Sequence, residues 1–316
     1  MRRRRVGCPV PSEGRLPPRD LLLALLVATV WGLNFIPIRW ALDAIPPFAL
    51  AALRFLLAAV PMVFFVPRPR IRLGTLVGYG LAIGVAQFGL LFLAIRLGLA
   101  AGLASLLMQM QMFFTILLAA LVTGDPVRRQ QALGACVAAL GVAVLAADLT
   151  ANGAQASLVG LLLTGAASLA WAAGNVVAKA AGRRAPLDMF SLVVWSSLVA
   201  PLPLAALSFL LEGGLRPWDA ALHAGWRAWA SIAFMAYVGT LFGYSTWNRL
   251  LQRHPAAVVS PFTMVIPVVG LGAAALVLHE TLDAWQLLGA LVILLGVAAA
   301  YGGRKAPVEP VLPMET

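Results

Sequence analysis

The chain is 316 residues long, 61% hydrophobic and only 11% charged, with a formal net charge of +11. Soluble domains are roughly half apolar and a quarter charged, so this is a membrane composition; at about 20 apolar residues per crossing it excludes a separate soluble catalytic domain. The cations sit in short gaps between apolar runs rather than on one water-exposed face, which argues against nucleic acid as a partner. Cys8 and Cys136 are too few and too differently placed for a disulfide framework or a Cys-based metal site.

Apolar runs bounded by charge, Pro or Gly predict ten spans near 20–40, 47–66, 73–95, 99–122, 130–147, 158–178, 188–211, 227–249, 256–278 and 284–302. Residues 1–18 and 304–316, rich in Pro and charge, read as cytoplasmic tails without fixed structure. The first apolar stretch holds Trp31, Asn34 and Pro37 and no evident small-residue cleavage site, so it reads as a retained anchor rather than a signal peptide. With an even number of spans, alternate loops differ in charge. One set of loops and tails holds 18 of the 23 cations, the other holds Arg39, Arg96, Arg216 and Arg227, and Arg54 lies inside a span. Positive charge stays inside, so both termini are expected in the cytoplasm, with the chain multi-pass in the cytoplasmic (inner) membrane.

Candidate functional residues follow along the chain. In the first span, Trp31 precedes Asn34; an asparagine in hydrocarbon needs hydrogen-bond partners and so faces the bundle interior, as substrate contact or as glue between helices. Arg54 is the one charge well inside a span and must face a cavity or a polar partner, either as a contact for a substrate carboxylate or as a structural cation. The third span offers Gln87. In the fourth, Gln109 and Gln111 lie about 200° apart on a helix, so one of them faces a central cavity; Gln109 is preferred because Ser105 precedes it by four residues on the same face. Trp171 and Asn175 in the sixth span repeat the tryptophan-asparagine pattern, and Tyr244 and Trp247 in the eighth add aromatic lining. Trp40, Trp226, Trp229 and Trp285 fall near span ends and read as interfacial anchors. Gly134 with Gly141, and Gly289 with Gly296, each present a small-residue face for helix packing. All twelve acidic residues, and His223, His254 and His279, fall in tails, loops or span ends, so no intramembrane proton relay is evident.

The sequence also repeats itself. A shift of 155 pairs Asp125 with Glu280, Gln131 with Gln286, Gly134 with Gly289, Gly141 with Gly296, Ser105 with Ser260 and Gly84 with Gly239. A shift of 140 pairs Trp31 with Trp171, Arg39 with Lys179 and Pro61 with Pro201. Matched Gly, Gln, Trp and acidic positions in register read as a duplication. Five spans per copy is an odd number, so the second copy enters the membrane from the opposite side. The expected fold is an all-α membrane protein of ten helices in two inverted five-helix repeats, at 19–148 and 149–303, an arrangement used by secondary carriers. An intramembrane enzyme would need a motif such as His-Glu-x-x-His or two buried acids, and a channel a ring of charge from several subunits; neither pattern is present.

The same residues carry a family resemblance. Val30-Trp31-Gly32-Leu33-Asn34-Phe35, Leu53-Arg54-Phe55, Gly78-Tyr79-Gly80-Leu81, Ala86-Gln87-Phe88 and Ala101-Gly102-Leu103-Ala104-Ser105-Leu106 occur in an order that resembles the EamA group of the drug/metabolite transporter superfamily. Phe113-Phe114-Thr115, Gly174-Asn175 and Pro267-Val268-Val269-Gly270-Leu271 continue it over nearly the whole chain outside the tails. The resemblance implies an inner-membrane exporter of small amino-acid metabolites such as cysteine and O-acetylserine. Its expected partners are the small-molecule substrate and the lipid bilayer, with no cofactor or metal, as a monomer or homodimer. Ala100 and Gly124-Asp125 depart from the Pro and the Gly-Glu that such exporters carry there. The predicted cavity lining is Trp31, Asn34, Arg54, Gln87, Ser105, Gln109, Trp171, Asn175, Tyr244 and Trp247.

Overall fold

A computed structural model describes residues 16–124, 127–182, 187–254 and 256–301, and every regular element among them is helical. The tails up to residue 15 and from residue 302, and the loop residues Asp125, Arg183 and Arg184, lie outside the described residues. In chain order the helices are α1 (Pro18–Leu42), α2 (Pro47–Val63), α3 (Leu73–Arg96), α4 (Ala101–Val122), α5 (Arg129–Ala151) and α6 (Ser157–Gly182). Then follow α7 (Met189–Leu211), the short α8 (Arg216–Leu222), α9 (226–253), α10 (Pro261–Val277) and α11 (Ala284–Tyr301).

Six of these, α1 and α3 to α7, are 22 to 26 residues long and apolar enough to cross a membrane. With 17 residues, α2 rises about 25 Å, short of a hydrocarbon core of roughly 30 Å. Leu22, Phe64, Phe65, Leu202, Trp226 and Leu276 are each at least 67% exposed. So many large apolar side chains on the outside, with polar residues such as Arg54, Gln87 and Gln109 buried within, suit a lipid surround rather than water.

Several helices depart locally from α-geometry, for identifiable reasons. Pro37 has no N–H for the Leu33 carbonyl, and α1 turns at Asn34. Pro201 breaks α7 in the same way after Ser197. Wider π-helical stretches interrupt α3 at Leu81–Gln87 and α9 at Phe234–Phe242, and tighter 3₁₀ segments lie in α4 at Met108–Met110 and just before Val265 of α10. Such interruptions re-aim side chains and often mark functional sites.

Close approaches set the packing. A Cβ on Gly32 of α1 would lie 2.7 Å from the Ile266 carbonyl of α10, and α10 also packs on α4, where Gly270 meets Ser105. The α5–α11 crossing is tighter still: a Cβ on Gly141 would fall 2.8 Å from the Gly289 carbonyl, and one on Gly296 would fall 2.6 Å from the Gly134 carbonyl. Only glycine allows backbones so near, and dispersion contacts along the seam then hold the helices together.

One end of the bundle is tied by two carboxylates. Arg96 donates to the Leu42 carbonyl at 3.2 Å, bringing together the C-terminal ends of α1 and α3, next to which α2 and α4 begin. There the Phe48 and Ala49 amides of α2 donate to the two oxygens of Glu212, at 2.7 and 3.2 Å. The Ala101 and Gly102 amides of α4 donate likewise to Glu280, at 2.8 and 3.0 Å. First-turn amides have no acceptor within their own helix, and the helix dipole favours an anion there. At the opposite end, buried Asp20 at the start of α1 lies 2.6 Å from His254 Nε2 and 3.9 Å from Arg253 at the end of α9.

Candidate functional site

Seven helices line a small cavity of about 50 Å³ near the middle of the bundle. Each wall has a local cause. Asn34 comes from the turn of α1 and Gln87 from the last residue of the π-stretch in α3. Gln109 comes from the 3₁₀ segment of α4, and Gly239 from the π-stretch of α9. Arg54 from α2, Trp171 from α6 and Tyr244 from α9 complete the polar and aromatic lining, with Leu91, Met108 and Ile266 as apolar fill.

Arg54 is the centre of the polar side and is 1% exposed. Its Nη2 donates to Thr240 Oγ1 at 2.9 Å, and Thr240 in turn donates to the Met235 carbonyl at 2.9 Å. The guanidinium carbon stands 3.7 Å from the Phe88 ring centroid and 5.4 Å from that of Phe55. An aromatic face stabilises a desolvated guanidinium by about 2 kcal/mol, offsetting part of the cost of a cation at this depth. Nε and Nη1 of Arg54 have no partner.

Trp31 organises the aromatic side. Its indole N–H donates to the Gly239 carbonyl at 2.9 Å, and its ring stands 6.4 Å from Trp171, 5.1 Å from Tyr244 and 5.4 Å from Trp247. Gly239 leaves close room for Asn34, since a Cβ there would come 3.0 Å from Asn34 Oδ1. Gln109 Nε2 donates to the Thr263 carbonyl at 3.0 Å, linking α4 to the 3₁₀ segment at the start of α10. A second, smaller space of about 10 Å³ between Tyr79, Ser196 and Thr240 adjoins the first, with Phe88 and Tyr244 common to both.

Of the ten residues expected in the lining, the structure brings together Trp31, Asn34, Arg54, Gln87, Gln109, Trp171 and Tyr244. It places Ser105 against Gly270, donating to the Gly102 carbonyl at 2.6 Å, and Trp247 behind Trp31. Asn175 turns to α4, where its amide donates to Gln111 Oε1 at 3.0 Å and Thr115 Oγ1 at 3.2 Å. The sequence reading did not include Thr240 or Phe88, the two groups that hold Arg54. Phe88 is the neighbour of Gln87, and Thr240 the neighbour of the repeat-matched Gly239.

The model of the EamA-like transporter family matches residues 19–147 and again residues 158–302. A protein of Salmonella typhimurium named "Probable amino-acid metabolite efflux pump" is 44% identical over 280 residues, which are 88% of this chain and 93% of that protein. One of the same name from Escherichia coli K12 is 42% identical with the same coverage. A crystal structure 18% identical in sequence superimposes with a TM-score of 0.60 over 89% of this chain and 95% of its own, which shows a shared fold.

Proposed function

The chain belongs to the EamA-like transporter family, and from that premise we propose that it is a secondary carrier exporting small amino-acid metabolites, cysteine and O-acetylserine among them, by alternating access across the cytoplasmic membrane. The observation that carries this reading is the cavity itself. It is lined by seven helices, and its one cation, Arg54, is held by Thr240 and Phe88 while two of its nitrogens have no hydrogen-bond partner. A small carboxylate is the ligand such a cation lacks.

The architecture proposed with it is ten spans in two inverted repeats, 19–148 and 149–303, with both termini cytoplasmic. In its support, the family model matches twice. The π-stretches of α3 and α9 overlap when shifted by 155 residues, and both α4 and the start of α10 carry 3₁₀ segments. The bias of Lys and Arg supports the orientation. In this topology the Glu212 and Glu280 ties lie at the outer end, and opening outward requires that they part.

Inverted membrane vesicles containing the full chain test the reading. Labelled cysteine and O-acetylserine should accumulate saturably, well above vesicles without the protein, and Arg54→Gln at normal abundance should abolish the excess. A flat response across a panel of labelled amino acids, with and without a proton gradient, refutes it.

A further inference from the structure

Buried polar side chains nearly always find a hydrogen-bond partner. Among the described residues five such atoms do not, and four belong to three side chains of the cavity: Arg54 Nε and Nη1, Asn34 Oδ1 and Gln87 Oε1. These residues are 1%, 7% and 2% exposed, so bulk water does not satisfy the four atoms, and all three residues line the cavity. The four atoms divide by chemistry. Two are donors on a cation, and two are neutral acceptor oxygens.

We propose that this set reads the complete head group of an α-amino acid, the carboxylate on Arg54 and the α-ammonium on the amide oxygens of Asn34 and Gln87. The inference rests on the transport reading above and goes beyond it by assigning the ammonium subsite and the class of side chain admitted. A carboxylate supplies acceptors and no donor, an ammonium donors and no acceptor, so each fits one half of the set and is refused by the other. A head group with its nitrogen acylated loses the charge and two of the three N–H donors, and leaves an amide oxygen buried and unpaired. Sites built to hydrogen-bond a group reject analogues lacking it for this reason.

The remaining lining decides the side chain. Trp31, Trp171, Met108 and Ile266 offer apolar and aromatic surface, and Arg54 is the single charged residue of the lining. A second carboxylate on the substrate would find no cation of its own, and a cationic side chain would meet only Arg54. The admitted class is therefore the amino acid with a short, uncharged side chain, free at both ends of its head group.

Transport of labelled cysteine, kept reduced, by the full-length protein in proteoliposomes provides the test. S-methylcysteine should compete as well as unlabelled cysteine, whereas N-acetylcysteine, 3-mercaptopropionate, cysteamine, aspartate and lysine should each compete at least about tenfold more weakly. Asn34→Leu and Gln87→Met should raise the concentration for half-maximal cysteine transport by about 10- to 100-fold, the loss of one hydrogen bond to a charged group. The same variants should leave inhibition by 3-mercaptopropionate, which has no ammonium, within about threefold, and that readout separates loss of the subsite from misfolding. Equal competition by N-acetylcysteine or 3-mercaptopropionate in the wild type, with transport still dependent on Arg54, overturns the ammonium subsite and leaves the carrier reading standing. No transport of cysteine or of any other neutral amino acid overturns both.

Discussion

Removing the Glu280 tie should open one end of the helix bundle by a measurable factor. In Glu280→Ala the Ala101 and Gly102 amides of α4 lose charge-assisted acceptors at 2.8 and 3.0 Å. Net values for hydrogen bonds to charged groups are about 1.5–3 kcal/mol each, and favourable charge at a helix N-terminus adds a few tenths or more. Both bonds are only partly buried, so water satisfies the freed amides in part. A combined loss of about 2 kcal/mol is a conservative figure, and at 1.4 kcal/mol per decade it shifts the closed-to-open ratio about 30-fold. The assay is labelling of Gln109→Cys in the cavity by an impermeant maleimide applied from the Glu280 end, in a chain with Cys8 and Cys136 replaced by Ser. Labelling of the Glu280→Ala form should be about 30-fold faster, and Glu280→Gln should fall between because its amide oxygen can still accept one neutral bond. Equal rates within threefold, with thermal stability unchanged, would refute the idea that this carboxylate holds the end shut.

Two other expectations concern packing and the support of Arg54. Gly141→Val should lower stability by about 1–3 kcal/mol, read as an earlier unfolding midpoint in detergent, because its Cβ would sit 2.8 Å from the Gly289 carbonyl; Gly165→Ala, with nothing within 4 Å, should not destabilise. Thr240→Val keeps the shape but removes the acceptor of Arg54 Nη2 at 2.9 Å, and should cost about 1–3 kcal/mol of stability that Thr240→Ser restores; an unchanged unfolding midpoint in the valine form would show that Phe88 alone holds the guanidinium.

Much of the arrangement was legible because burial in lipid leaves polar residues few places to go. Arg54, Gln87 and Asn34 could be assigned to the interior from their type and depth alone, and the structure brings them to one cavity. Other positions escaped for geometric reasons. Asn34 follows Trp31 by three residues, but Asn175 follows Trp171 by four, and one residue turns a helix by about 100°. That turn sends Asn175 toward Gln111 and Thr115, away from the lining. Ser105 and Gln109 would share a face of a regular helix, but the 3₁₀ segment at Met108–Met110 winds more tightly and rotates one against the other. The π-stretches leave no mark in the hydrophobic pattern, since the helix stays apolar through them, and so the exposure of the Gly239 carbonyl to Trp31 had no signal. The Glu212 and Glu280 ties were hidden for the opposite reason: acids between spans are common, and only the fold reveals which amides they meet.

The α5–α11 crossing is reciprocal. Gly134 lies on the Gly296 carbonyl while Gly296 lies on the Gly134 carbonyl, and Gly141 and Gly289 exchange places in the same way. A surface that receives what it presents needs no partner except its own likeness. At this crossing each helix seats its own backbone where the glycines of the other leave room.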